Sequence, residues 1–152
     1  MKRIAFFPGS FDPITKGHED IIRRSISIFD EIIVAVGVNT NKKNMFSIEK
    51  RIEWIQNTFS DFSSIKTISY DGLTVNACSR HNAKFILRGI RNSIDYQYEK
   101  NISRINQSLN ENIETLFLNT KPEFSAISST IVRDIIKNQG NAEPFLGSGV
   151  RL

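Results

Sequence analysis

Apolar residues fall along the chain in short blocks separated by turn residues. Ile4-Ala5-Phe6-Phe7 forms an apolar run closed by Pro8-Gly9, which predicts a buried strand over 2–7. Ile21, Ile22, Ile26 and Phe29 then recur at helical spacing, predicting an amphipathic helix over 17–29. Residues 31–38 are continuously apolar and β-branched beyond Glu31, as in a strand covered on both faces. Ser47 offers an N-cap, and Ile48, Ile52, Ile55 and Phe59 follow at spacings of four, three and four. Further strands are predicted at 65–70, 85–87 and 114–118, and further helices at 73–80, 94–109 and 129–138. Strand and helix taking turns predicts an α/β fold, a parallel sheet with helices on both faces, in one domain over 1–152. The closing Phe145-Leu146-Gly147-Ser148-Gly149-Val150-Arg151-Leu152 carries two glycines and predicts no terminal helix.

Composition narrows the classes that this pattern leaves open. Hydrophobic residues at 39% and charged residues at 24% describe a chain that folds around a core rather than a disordered one. No apolar run approaches the roughly 18 residues that cross a bilayer. Pro8-Gly9 also interrupts the first run too early for the core of a signal peptide. Cys78 is alone, so no internal disulfide forms, and a reducing cytoplasm is the expected setting. On its predicted helix this thiol reads as buried filler rather than as a nucleophile. The net charge of +4 suits nucleic acid or a small polyanion. Its cations occur as Arg23-Arg24, Lys42-Lys43 and Arg88 with Arg91, which make no basic stripe, so the charge alone does not decide between the two.

In a parallel α/β sheet, ligands bind beyond the carboxyl ends of the strands, and the chemically capable residues cluster there. After the first strand comes Pro8-Gly9-Ser10-Phe11-Asp12-Pro13-Ile14-Thr15-Lys16-Gly17-His18. It contains neither G-x-G-x-x-G nor G-x-x-x-x-G-K-[ST]. It is nevertheless suited to anions: Ser10 adds a hydroxyl, Gly9 and Gly17 permit close approach, and a helix start aims free N–H groups forward. His18, in the first turn, is placed to donate to a phosphate oxygen. After the second strand, Lys42 or Lys43 offers a point charge for phosphate. After the fourth, Arg88-Gly89-Ile90-Arg91 sets two guanidinium groups about a glycine. Phe124-Ser125-Ala126-Ile127-Ser128-Ser129-Thr130 precedes the last predicted helix, where a cap and a phosphate cradle use the same free N–H groups.

Together these strings resemble the nucleotidylyltransferase superfamily, in which a [H/T]-x-G-H tetrapeptide opens the first helix. Within it the chain is most similar to the phosphopantetheine adenylyltransferase family, from the first strand to about Gly140. The resemblance implies a Rossmann-like fold and transfer of the adenylyl group of ATP to 4′-phosphopantetheine, with Mg²⁺ accompanying ATP. It implies His18 and Lys42 as catalytic residues, Lys42 being selected over Lys43 because it stands four residues before Phe46. It implies Ser10, Lys42, Thr74 and Arg88 as contacts of the acceptor substrate. For ATP it implies Ser10, Phe11, His18, Gly89, Ile90, Arg91, the Glu99 of Asp95-Tyr96-Gln97-Tyr98-Glu99, and the whole run 124–130. Asp71, Leu73 and Asn76 lie where the acceptor pocket of the family begins. The family also implies a homohexamer, no protein-ligated metal, and a C-terminal helix longer than this chain's closing glycines favour. A sister adenylyl- or cytidylyltransferase shares the first and last motifs, whereas Arg88–Arg91 and Tyr98-Glu99 favour the pantetheine enzyme. A catalytically inert scaffold would need a broken motif, and none is broken.

Overall fold

The computed structural model describes residues 1–152. Five strands, β1 (Ile4–Gly9), β2 (Glu31–Gly37), β3 (Ile65–Tyr70), β4 (Phe85–Ile90) and β5 (Glu114–Asn119), form one parallel sheet in the order β3-β2-β1-β4-β5. The chain winds outward from β1 to β3, then crosses back to lay β4 and β5 on the other side. β1 is therefore the strand from which the two halves depart in opposite directions, which is where such sheets open a ligand crevice. The register shows the opening directly. β1 pairs with β2 along its whole length but with β4 only at Ala5–Phe85 and Phe6–Ile86. Beyond Phe6 the two central strands part. Pro8, which has no N–H to give a ladder, stands in that gap, and its carbonyl accepts an N–H from the Arg88 side chain.

Alternate residues of each strand face opposite sides, so the continuous apolar runs feed two cores. Ala5, Phe7, Ile32, Val34, Val36 and Leu87 enter an 18-residue cluster, whereas Phe6, Ile33, Ala35 and Ile86 enter one of nine. The inequality follows from what covers each face. Helices α1 (Lys16–Ser25), α2 (Ile48–Thr58) and α5 (Ser129–Lys137) supply Ile21, Ile22, Trp54, Ile55 and Val132 to the larger core. Helix α3 (Thr74–Arg80) supplies Val75, Ala77 and Cys78 to the smaller. Helix α4 (Ser93–Leu109) has a single buried residue, the charged Glu99, and stands off from the sheet. A cavity of about 590 Å³, with Ile86 and Thr115 on the sheet and Ile102, Ser103 and Asn106 on α4, fills the space between them.

Three C-terminal boundaries depart from the sequence reading by two residues or more. The first strand runs to Gly9 rather than Phe7, because Pro8 falls where no ladder bond to β4 is required. The fourth strand runs to Ile90, so Arg88 and Gly89 lie within the strand and not after it. The first helix ends at Ser25 rather than Phe29. There the Ile26 N–H takes the Arg23 carbonyl, while Ser25 and Ser27 hydroxyls bond the Ile21 and Arg24 carbonyls and compete with the helical ladder. Phe29 still reaches the core from the turn that follows.

No helix closes the chain. After a short 3₁₀ turn at Glu143–Phe145, the tail lies across the start of α1 and the end of α2. Leu146 bridges Thr15, the Gly147 N–H takes the Ile14 carbonyl at 3.0 Å, and the Ser148 N–H takes Glu19 Oε1 at 2.7 Å. Gly149 donates to Thr58 Oγ1 at 3.0 Å, and a Cβ there would overlap the Thr58 backbone nitrogen. Val150 is buried in the larger core.

Candidate active site

His18 is the third residue of α1, and its place there is made by the helix start itself. Thr15 is the N-cap: its Oγ1 accepts the His18 N–H at 3.4 Å, and His18 Nδ1 accepts the Thr15 N–H at 3.1 Å. This is a capping box in which an imidazole replaces the usual Glu or Gln. Because Nδ1 accepts a backbone N–H, the ring proton is assigned to Nε2. The ring also packs edge-on against Phe11, with centroids 5.1 Å apart. Desolvation, and next the charges of Arg88 and Arg91, push the His18 pKa down to about 4. His18 is therefore a neutral imidazole offering an Nε2–H donor at neutral pH.

Around it lie the other expected groups. Lys42 Nζ donates to Ser10 Oγ at 3.1 Å, whereas Lys43 lines neither cavity of the site. Arg88 forms a two-pronged pair with Glu99, Nε to Oε2 at 3.0 Å and Nη2 to Oε1 at 2.7 Å, and its Nη1 holds Pro8. This leaves Arg88 with one N–H on each terminal nitrogen for a ligand. Arg91 forms the parallel pair with Asp95, Nε to Oδ2 at 2.9 Å. Gly89 keeps α1 close to β4, since a Cβ there would stand 3.1 Å from Ile21. Ser128 caps α5 by accepting the Ile131 N–H at 3.2 Å. Ser129 Oγ donates to the Pro13 carbonyl at 2.8 Å, and Thr130 Oγ1 accepts from Arg133 Nη2 at 3.2 Å. The starts of α1 and α5 are thereby joined.

Two cavities meet at this place. The smaller, about 320 Å³, is lined by Phe11, His18, Gly89, Arg91, Phe124, Ile127 and Ser128–Thr130 among others. The larger is the 590 Å³ space beneath α4, with Tyr70, Thr74 and Tyr98 on its walls. Pro8, Gly9, Ser10, Lys42, Arg88 and Glu99 line both. A polar partition carrying Lys42 and the Arg88–Glu99 pair thus separates a cleft at two helix starts from a larger space with amide, hydroxyl and aromatic walls.

Of the residues expected from sequence, Ile90, Ser125 and Ala126 line neither cavity, and neither do Asp71, Leu73 and Asn76. Glu99 lines both, but as the partner of Arg88. The sequence reading missed Tyr70, Ile102, Ser103 and Asn106 on the larger cavity. Tyr98, Ile102 and Asn106 recur at every fourth position, the one signal that α4 presents them together. It also missed the buried pair of charges below the site, Asp12 and Arg51. No group of three His, Cys, Asp or Glu side chains gathers to hold a metal ion.

Comparison with known proteins agrees with this architecture. Residues 6–135 match the family model described as cytidylyltransferase-like. A phosphopantetheine adenylyltransferase of Flavobacterium psychrophilum is 53% identical over 150 residues, covering 99% of each chain. One from Flavobacterium johnsoniae is 50% identical, covering 99% of this chain and 98% of its own. Among solved structures, a bifunctional NMN adenylyltransferase/ADP ribose pyrophosphatase from Francisella tularensis superposes over 99% of this chain with a TM-score of 0.75 at 18% identity. The chain spans 46% of that protein, and the likeness is one of fold. The sheet that parts beyond β1, the phosphate-suited strings around the gap and the full-length similarity converge: the chain belongs to the phosphopantetheine adenylyltransferases, within the cytidylyltransferase-like family.

Proposed function

We propose that the two cavities hold the two substrates and that the partition between them is where the adenylyl group changes hands. The protein transfers the adenylyl group of ATP to 4′-phosphopantetheine, giving dephospho-coenzyme A and pyrophosphate, a step of coenzyme A biosynthesis. The observation that carries the reading is the shared wall: Ser10, Lys42 and Arg88 face both spaces. ATP takes the smaller cleft, supported by Arg91 and the starts of α1 and α5. The acceptor takes the larger, its phosphate toward Ser10, Lys42 and Arg88 and its amide-bearing arm beneath α4.

An oxygen of the acceptor phosphate forms a bond to the α-phosphorus of ATP while the bond to pyrophosphate breaks. The attacking oxygen is already anionic, so no general base is required. Catalysis rests on alignment and on donors aimed at the charge that develops. His18 supplies the Nε2–H and Lys42 the ammonium. A divalent cation accompanies ATP, and we propose Mg²⁺. Asp95 and Glu99, the carboxylates lining the site, are already paired with Arg91 and Arg88, so triphosphate and water oxygens would carry the ion.

No helix is long and apolar enough to cross a membrane, and the cytoplasm, where ATP and the acceptor meet, is the proposed setting. We also propose a homohexamer. It is supported by Ile94, Tyr98, Ile102, Ile105 and Leu109, which form one stripe of α4 and are 38–80% exposed. The deciding measurement is pyrophosphate release with ATP and 4′-phosphopantetheine, run beside nicotinate mononucleotide. Release with the first acceptor and not the second is expected, and the reverse overturns the reading.

A further inference from the structure

Asp12 is 2% exposed and lines neither cavity, yet it ties the turn that carries Ser10 to the loop that carries Lys42 and to α5. Its Oδ2 accepts the Met45 N–H and its Oδ1 the Phe46 N–H, each at 2.9 Å. Its backbone carbonyl accepts Arg133 Nη1 of α5 at 2.9 Å, and the same Nη1 lies 3.9 Å from Oδ2. Arg51 of α2 braces the same joint from below, donating to the Ser10 carbonyl at 2.7 Å and the Phe46 carbonyl at 3.1 Å. Residues 38–46 form no helix or strand, so nothing periodic holds Lys42 at its distance from Ser10. Two amides of that segment end instead on one carboxylate, two residues after Ser10.

We propose that Asp12 is a positioning residue for adenylyl transfer: its carboxylate docks the Lys42 loop on the Ser10 turn, so that the Lys42 ammonium stands over the partition. The proposal rests on the functional reading above. It acts through Lys42, which sets it apart from a residue that merely stabilises the fold. A carboxylate is required because both oxygens accept from N–H groups. Asparagine would present an amide N–H₂ to one of them and release one end of the loop.

The experiment is a double-mutant cycle of Asp12→Asn and Lys42→Ala, read as kcat and KM in pyrophosphate release. Asp12→Asn alone is expected to lower kcat by about tenfold to 100-fold, the scale of an ångström-sized misplacement, with the KM for ATP little changed. In the Lys42→Ala background its further cost on kcat should fall to about twofold or less, because the group it positions is gone. An unchanged kcat in folded Asp12→Asn overturns the proposal, and so does a full cost retained without Lys42. Hydrogen exchange on the wild-type protein tests the joint without any variant. Slow exchange of the Met45 and Phe46 amides supports it, and fast exchange at both overturns it even if Asp12→Asn does not fold. Failure of the functional reading looks different: the wild-type protein then releases no pyrophosphate, while the amide exchange still reports on the joint.

Discussion

His18 closes a helix cap with one ring nitrogen and offers the other to a ligand, and substitutions can separate the two roles. In His18→Gln, the Gln side chain can accept the Thr15 N–H as in an ordinary capping box. Its unfolding midpoint should stay near wild type while kcat falls by on the order of 100- to 1000-fold, the usual cost of losing one electrostatic donor. His18→Ala should lose kcat equally and also lose stability, by about 1 kcal/mol for the missing Nδ1 half of the capping box. Near-wild-type turnover in either variant would remove His18 from the mechanism. The pKa carries a sign that can be checked as well. With its folded value near 4 and its ordinary value 6.5, the ring is neutral in both states above pH 6.5. As pH falls from 6.5 toward 4, the unfolded chain takes up a proton that the folded chain refuses, so stability is lost across that window. Denaturant unfolding at pH 7 and pH 5 should show a larger drop for wild type than for His18→Gln. Equal drops would mean that the imidazole is not held neutral. The position of His18 in a first helical turn was legible from Gly17-His18 after a strand. Its tautomer was not, since that depends on which nitrogen the Thr15 N–H meets.

Among the elements, the C-terminal tail shows most clearly how local sequence and distant contact divide the work. Gly147 and Gly149 argue against a helix, and none forms. Their other consequence lies far away in sequence, where Gly149 lets the tail pass against the end of α2 and Gly147 lets it bond the chain beside Thr15. Gly149→Ala should force the tail from Thr58 and cost about 1–3 kcal/mol, the range for overpacking a close contact. Thermal unfolding measures this, and an unshifted midpoint would show that the tail does not brace α1 and α2. The ends of β1, β4 and α1 were misjudged for related reasons. Pro8 is tolerated because its neighbour strand has already departed, and the helix stops where serines capture carbonyls that its apolar stripe cannot defend.

At the scale of the whole molecule, α4 is the element that the chain leaves incomplete. Its apolar stripe is exposed, with Tyr98 and Ile102 bordering the larger cavity, and its one buried side chain, Glu99, holds Arg88 at the partition. Ile105→Glu with Leu109→Glu should therefore break the proposed assembly into smaller species in sedimentation velocity, without unfolding the sheet. A wild-type protein that sediments as a monomer would overturn the assembly. Because α4 bounds the larger cavity, the dissociated form should also show a raised KM for 4′-phosphopantetheine and a less altered KM for ATP.

By itself, the sequence determined the alternation of strands and helices, the two-faced burial of the sheet and the strings suited to phosphate. Each is set by neighbours a few residues apart: periodicity, caps and turn residues act over that range. It also selected the family, because several such strings recur together. Only the tertiary structure decided that Arg88 is already engaged by Glu99 and Pro8, and that Lys42 meets Ser10. It alone placed Asp12 beneath both loops, and divided the site into two cavities sharing one wall. Those arrangements depend on where β1 and β4 part and on how far α4 stands from the sheet. Such distances are set by packing between segments 30 to 120 residues apart, which local pattern does not encode.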